Sequence, residues 1–72
     1  MKLYLKFYFN SEGVSPLETI RIVRKIGFIP EVGDYDMVIR FDDPEEYTKI
    51  VESLHTTLKG MNITYTLTTK KE

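Results

Sequence analysis

The chain has 72 residues with ten Lys and Arg, eleven Asp and Glu, one His, no Cys and a formal net charge of −1. Without Cys it has no disulfides, a single His without thiolates excludes a structural zinc, and a near-zero charge gives no basic field for nucleic acid or anionic lipid. A length this short allows one domain, residues 1–72, whose core alone supplies only about 3–5 kcal/mol. Self-association is therefore the expected further source of stability.

The first residues predict a strand and exclude a signal peptide. Lys2, Tyr4, Lys6 and Tyr8 alternate with Leu3, Leu5, Phe7 and Phe9. This period of two is typical of a half-buried strand and lacks the continuous apolar run of a signal peptide. No stretch of the sequence reaches transmembrane length, so we expect a cytoplasmic protein without membrane contact. Abundant charged residues and Ile, with no Ala, Gln, Cys or Trp, resemble the composition of heat-adapted proteins.

A helix is predicted after the first loop. Ser15-Pro16-Leu17-Glu18 combines an N-cap, a proline at the first helical position and a capping-box Glu. Gly27 provides the C-terminal stop. The expected buried stripe of this helix consists of Leu17, Ile20 and Val23, with Ile26 or Phe28 as a further member.

The second half of the chain repeats the pattern with a hairpin inserted. Residues 28–32 predict a short edge strand because Pro30 cannot donate to a ladder, and Gly33-Asp34 predicts a tight turn. Residues 36–41 return as a strand with Met37, Ile39 and Phe41 on one face. Asp43-Pro44-Glu45-Glu46 then predicts a second helix start, and apolar residues follow at helical spacing until Gly60. The last strand alternates Ile63, Tyr65 and Leu67 with Thr64, Thr66 and Thr68.

This order predicts an α+β ferredoxin-like βαββαβ sandwich, a four-stranded antiparallel sheet with two helices on one face. The other face stays open and presents Tyr4, Lys6, Tyr8, Val38, Arg40, Thr64, Thr66 and Thr68. Tyr and Arg are enriched at interfaces, which favours a contact surface, although β-propensity alone also selects Tyr and Thr.

Two occupants of this face compete. RNA-recognition sheets stack bases on aromatics of both central strands in a basic field. Here the third strand has no aromatic on that face, its sequence Asp36 to Phe41 lacks the required glycines, and the chain is slightly acidic. These three features argue against nucleic acid. A two-fold homodimer needs only a moderately apolar, self-complementary face, and we therefore expect a dimer or larger oligomer formed through the sheet.

No constellation for catalysis, metal or cofactor binding emerges. His55 stands on a helix flank without a Cys or acidic residue at ligand spacing. Helix capping and the helix dipole explain the acidic residues at 42–46. Asp34 and Asp36, two residues apart, suggest paired carboxylates. The preference of Asp for turns explains Asp34 at least equally well. We therefore predict a protein that is not an enzyme and holds neither metal nor cofactor.

One family resemblance adds a ligand. Val32-Gly33-Asp34-Tyr35-Asp36, followed by Met37 to Arg40, resembles the ligand-binding domain of the Lrp/AsnC family of amino-acid-responsive regulators. Leu58-Lys59-Gly60-Met61, with Thr64 and Thr66 beyond it, is similar too, so the likeness covers residues 32–69. The resemblance implies the same βαββαβ order, dimers or rings, and a stand-alone domain that binds a small metabolite such as an amino acid between protomers. One departure is that only four residues separate Phe28 from Gly33, fewer than the family's second strand needs.

By this resemblance the ligand site consists of Gly33, Asp34, Tyr35 and Asp36, with Thr64 and Thr66. The sequence thus predicts a non-catalytic module for small-molecule sensing or oligomeric assembly that dimerises through its open sheet face. The alternative is a module that binds a macromolecule on the same face, with protein favoured over nucleic acid.

Overall fold

A computed structural model describes residues 1–71, and within them it contains four strands and two helices. The elements in chain order are β1 (Lys2–Tyr8), α1 (Pro16–Arg24), β2 (Ile29–Pro30), β3 (Met37–Arg40), α2 (Pro44–Leu58) and β4 (Thr64–Lys70). The strands form one antiparallel sheet in the order β2-β3-β1-β4. The predicted α+β ferredoxin-like fold is confirmed.

The register of the sheet sets which side chains are neighbours. β1 pairs with β3 so that Tyr4 lies opposite Val38, and with β4 so that Tyr4 lies opposite Thr68. Directly paired residues point to the same face of an antiparallel sheet. Residues 2–5 of β1 therefore belong to rows of side chains that cross three strands or more, and residues 6–8 share their rows with β4.

Both helices begin at the predicted caps. The Ser15 Oγ atom accepts a hydrogen bond from the Glu18 backbone N–H at 3.3 Å, and the Asp43 Oδ1 atom accepts one from Glu46 at 2.9 Å. In each helix a proline occupies the start, where its missing N–H leaves no hydrogen bond unmade. The short motifs at residues 15–18 and 43–46 therefore fix where the helices start.

The core lies between the helices and one face of the sheet. It is formed by the fully or nearly fully buried side chains of Leu3, Leu5, Phe7, Val23, Phe28, Met37, Phe41, Leu54 and Leu58. All three odd-numbered residues of β1 up to Phe7 belong to it, as their alternation predicts. The even-numbered residues of β1 consequently face away from the helices.

Four expectations about burial and strand length are wrong. Leu17 is 76% exposed, whereas Thr19 is completely buried and its hydroxyl donates to the Ser15 carbonyl. Two residues correspond to roughly 200° around a helix, so a stripe centred on Thr19 turns Leu17 to the opposite side. Phe9 lies beyond the end of β1 and is partly exposed. β2 is limited to Ile29–Pro30 because Phe28 turns into the core, and β3 likewise starts at Met37 and ends at Arg40.

Candidate functional site

The candidate site is the open face, the sheet surface opposite the helices. Its even-numbered residues from β1, β3 and β4 are Lys2, Tyr4, Lys6, Tyr8, Val38, Arg40, Thr64, Thr66, Thr68 and Lys70. The register places every residue of the predicted contact surface on this one face. It also adds Lys2 and Lys70, which the sequence-based prediction left out although both continue the same alternation.

One predicted member of the surface contributes little to it. Val38 is only 6% exposed, although no helix covers this side of the sheet. Its row places it between Ile29 of β2 and Tyr4 of β1, whose larger side chains flank it. Val38 is therefore too buried to contact a partner directly. The side chains that a partner can reach on this face are aromatic, hydroxyl-bearing or cationic.

A tyrosine from outside the strands joins this face. The Tyr35 ring lies 4.8 Å from the Tyr4 ring, centroid to centroid, with 33° between the ring planes. The Lys70 Nζ atom lies 5.5 Å from the Tyr4 centroid and 5.0 Å from the Tyr35 centroid. Both distances are within the range of cation–π attraction. The last strand, the first strand and the β2–β3 turn therefore meet in one aromatic and cationic cluster.

Cationic and aromatic side chains alternate along β1. Lys2, Tyr4, Lys6 and Tyr8 follow each other on the open face. Alternate residues of a strand are about 6.8 Å apart, so the four side chains extend over about 20 Å. The Lys6 Nζ atom lies 5.9 Å from the Tyr8 ring centroid, and Tyr8 is 48% exposed. β1 thus presents a regular series of alternating lysine ammonium groups and tyrosine rings.

Three cations face each other at one end of the sheet. Lys2 pairs with Arg40 on one side and with Lys70 on the other, and we call these three residues the cation row. Side chains paired in this way have Cβ atoms about 4.5–5.5 Å apart, and like charges directly opposite destabilise a sheet. The cation row therefore concentrates positive charge from three strands at this end of the face, which suits an anionic group.

The opposite end of the same face holds two acidic residues. The Asp36 backbone N–H donates to the Leu5 carbonyl at 2.9 Å, and its Oδ2 atom accepts from the Phe7 backbone N–H at 2.8 Å. Glu31 donates its N–H to the Asp36 carbonyl and so continues the β2–β3 pairing. The Asp36 carboxylate thus accepts the hydrogen bond that a backbone carbonyl of β3 would accept in a longer strand, so this side chain has a structural role. The open face is polarised, with its acidic residues away from the cation row.

The residues implied by the Lrp/AsnC resemblance do not form one compact group. Gly33 and Asp34 are exposed in the β2–β3 turn, where Gly33 adopts a φ of +117° that favours glycine. Thr66 lies on β4, and β1 separates it from the Asp36 position by two strand spacings, about 9.6 Å. Thr64 lies further along β4, opposite Tyr8. Among these residues Tyr35 alone reaches the centre of the open face.

Other chemically interesting residues lie outside this face. His55 is exposed on α2 and lines a shallow cleft with Gly60, Asn62 and Thr64. Asp43 serves as the cap of α2. Within residues 1–71, no three His, Asp or Glu side chains converge in a way that suits a metal ion.

Comparison with known proteins adds no family assignment. No protein-family model, curated protein or solved structure matches this chain. The resemblance to the Lrp/AsnC family therefore stays a prediction. In the part of the chain that the structure describes, neither helix has the length and apolar content needed to cross a bilayer.

Proposed function

We propose that this domain is a non-catalytic binding module whose open face holds an anionic partner. The cation row carries this proposal. Arg40, Lys2 and Lys70 come from three strands and are brought side by side by the register. Three cationic side chains in one row attract an anionic group.

The distribution of charge supports an anion although the whole chain is slightly acidic. Four of the chain's ten basic residues lie on the open face, namely Lys2, Lys6, Arg40 and Lys70. Within residues 1–71, the pairing places two acidic residues there, Glu31 and Asp36. The described part of the open face is therefore more cationic than the net charge of −1 suggests. Binding depends on the local field, so the whole-chain charge does not predict the partner.

The face-to-face homodimer and the metabolite sensor stay predictions. Two open faces packed together bring two cation rows into one interface, and charges buried at an interface are costly unless they are paired. The Asp36 carboxylate is already bonded to the Phe7 N–H, which leaves it less available as a ligand group or counter-ion. The geometry therefore favours an anionic macromolecule over a second copy of the chain.

The test is a titration with inorganic polyphosphate, a repeating anion without any aromatic group. The five tyrosines and the absence of Trp make intrinsic tyrosine fluorescence a direct signal, because Tyr4, Tyr8 and Tyr35 lie on the open face. We expect saturable binding whose log K falls linearly with log salt concentration. Light scattering at each salt concentration measures whether the free wild type is a monomer. The same measurement on Tyr8→Glu shows whether any oligomer forms through the open face.

A charge-matched pair of variants locates the site. Lys2→Gln/Lys70→Gln removes two cations from the cation row, and Arg24→Gln/Lys25→Gln removes two exposed cations from the end of α1. We expect the first variant to flatten the salt dependence by about one unit of slope per lysine and the second to leave it unchanged. Equal effects of the two variants, or no binding by the wild type, would refute the proposal.

A further inference from the structure

We infer that the anionic partner is single-stranded RNA, whose unpaired bases stack on Tyr4, Tyr35 and Tyr8 while its phosphates lie against the lysines. This inference rests on the proposed function and specifies the partner of the same face. It starts from the alternation of Lys2, Tyr4, Lys6 and Tyr8 along β1. Single-stranded nucleic acid is itself a series of alternating anionic and aromatic groups.

The open face provides both kinds of contact that single strands need. Proteins hold them with a cationic track for the backbone and aromatic side chains on which successive bases stack. Tyr8 is about half exposed, and Tyr4 and Tyr35 form a pair of rings on the same face, about 13.6 Å from Tyr8 along β1. Base pairing hides the ring faces inside a duplex, so this arrangement selects unpaired bases.

Tyr35 supplies the aromatic group that the third strand lacks. Tyr35 precedes β3 in the sequence, yet its ring centroid lies 4.8 Å from that of Tyr4 on the neighbouring strand β1. The Lys70 ammonium group rests over both rings. A base that stacks on these rings takes the place of the ammonium group, which then turns to the adjoining phosphate. The same cluster can therefore hold one nucleotide by its base and by its charge.

The hydroxyl groups of β4 assign the partner to RNA. Thr64, Thr66 and Thr68 form a column beside the series on β1, with Thr66 opposite Lys6 and Thr68 opposite Tyr4. A threonine hydroxyl both donates and accepts hydrogen bonds, as the ribose 2′-hydroxyl does. The 2′-hydroxyl is the group by which proteins distinguish RNA from DNA. A strand laid along β1 presents its riboses to this column.

The experiment measures fluorescence anisotropy of labelled ten-nucleotide oligomers titrated with the full chain. The probes are oligouridylate, the matched deoxyuridine oligomer, an abasic oligomer of the same length and charge, and a blunt RNA duplex. We expect oligouridylate to bind at least ten times more tightly than the abasic oligomer and the duplex, and several times more tightly than the DNA. Inorganic polyphosphate serves as the competitor that tests the underlying anion site.

Ring and hydroxyl variants identify the contacts. Tyr8→Leu and Tyr35→Leu should each weaken RNA binding by about 5- to 150-fold, the range of one base–aromatic stack. Tyr8→Phe and Tyr35→Phe keep the ring and should bind like the wild type. Thr66→Val should lower the preference for RNA over DNA without changing the affinity for DNA. Thermal melting of each variant separates lost binding from lost folding.

The outcomes distinguish this inference from the proposed function. Equal affinity for oligouridylate and the abasic oligomer would overturn base stacking and leave the anion site intact. Equal affinity for RNA and DNA would overturn the assignment to RNA. Binding of neither the oligomers nor polyphosphate would overturn both proposals together. Unchanged RNA binding by both Leu variants, with folding intact, would show that the tyrosines do not form the site.

Discussion

Replacing Asp36 by Ala tests whether this residue holds the sheet together. Its carboxylate Oδ2 accepts the Phe7 backbone N–H at 2.8 Å, where β3 no longer offers a strand carbonyl. Its own N–H donates to the Leu5 carbonyl and survives any substitution except proline. Asp36→Ala therefore removes one hydrogen bond and leaves the Phe7 donor, partly buried beside the core, without a protein acceptor.

The expected loss follows from the charge of the acceptor. A hydrogen bond to an ionised group contributes roughly 1.5–3 kcal/mol, and a buried donor left unmade costs roughly 1–3 kcal/mol. We take about 2 kcal/mol as the loss in the free energy of unfolding. A domain of this length has about 4–11 kcal/mol in total, and each kcal/mol corresponds to about 4–8 °C in Tm. Asp36→Ala should therefore lower Tm by about 8–16 °C.

Thermal and urea unfolding followed by far-UV circular dichroism measure this loss. Asp36→Asn keeps a side-chain oxygen at the same position and should lose less than half as much. Asp34→Ala is the matched control, because Asp34 is exposed two residues away and makes no hydrogen bond within residues 1–71. It should stay within about 0.5 kcal/mol of the wild type. Equal stability of Asp36→Ala and Asp34→Ala would refute the structural role of Asp36 and return it to the candidate ligand groups.

Three further substitutions test the fold by urea unfolding. Gly13→Ala should cost about 1–3 kcal/mol, because the added Cβ would lie 2.4 Å from the Asn62 carbonyl oxygen; a neutral result would mean that this loop moves freely. Asp43→Ala removes the cap of α2 and should cost about 1 kcal/mol, whereas Asp43→Asn should be nearly neutral; identical losses would contradict the capping role. Leu17→Ala should change stability by less than about 0.5 kcal/mol, since the side chain is 76% exposed; a loss above about 2 kcal/mol would place Leu17 in the core.

The fold was predictable because its signals are local. Ser15 and Asp43 act within four residues of themselves, and the alternation of β1 needs only the strand period. The rotation of α1 about its axis was not predictable in the same way. The packing of the whole helix against the sheet buries Thr19 and exposes Leu17, although Leu17 is the more hydrophobic residue.

The candidate site was predictable only in part. The residues of the open face follow from the alternation of side chains along each strand. Extending this alternation to the ends of the strands also gives Lys2 and Lys70. Tyr35 carries no such signal because turn residues have no period, and its ring reaches Tyr4 only through the tertiary structure. The same residue stood among the predicted ligand groups for a different reason, its place in the Gly-Asp-Tyr-Asp motif.

Antiparallel pairing brings basic residues from distant parts of the chain together. β1 and β4 run in opposite directions over their full length, so Lys2 at the start of the chain meets Lys70 near its end, and Arg40 joins them from β3. An anion that binds the cation row only in the folded state would stabilise that state by mass action. Ligand at about 100 times its Kd adds about 2.7 kcal/mol to folding stability, a large fraction for a domain of this size. The proposed anionic partner of the open face is therefore also expected to stabilise the fold.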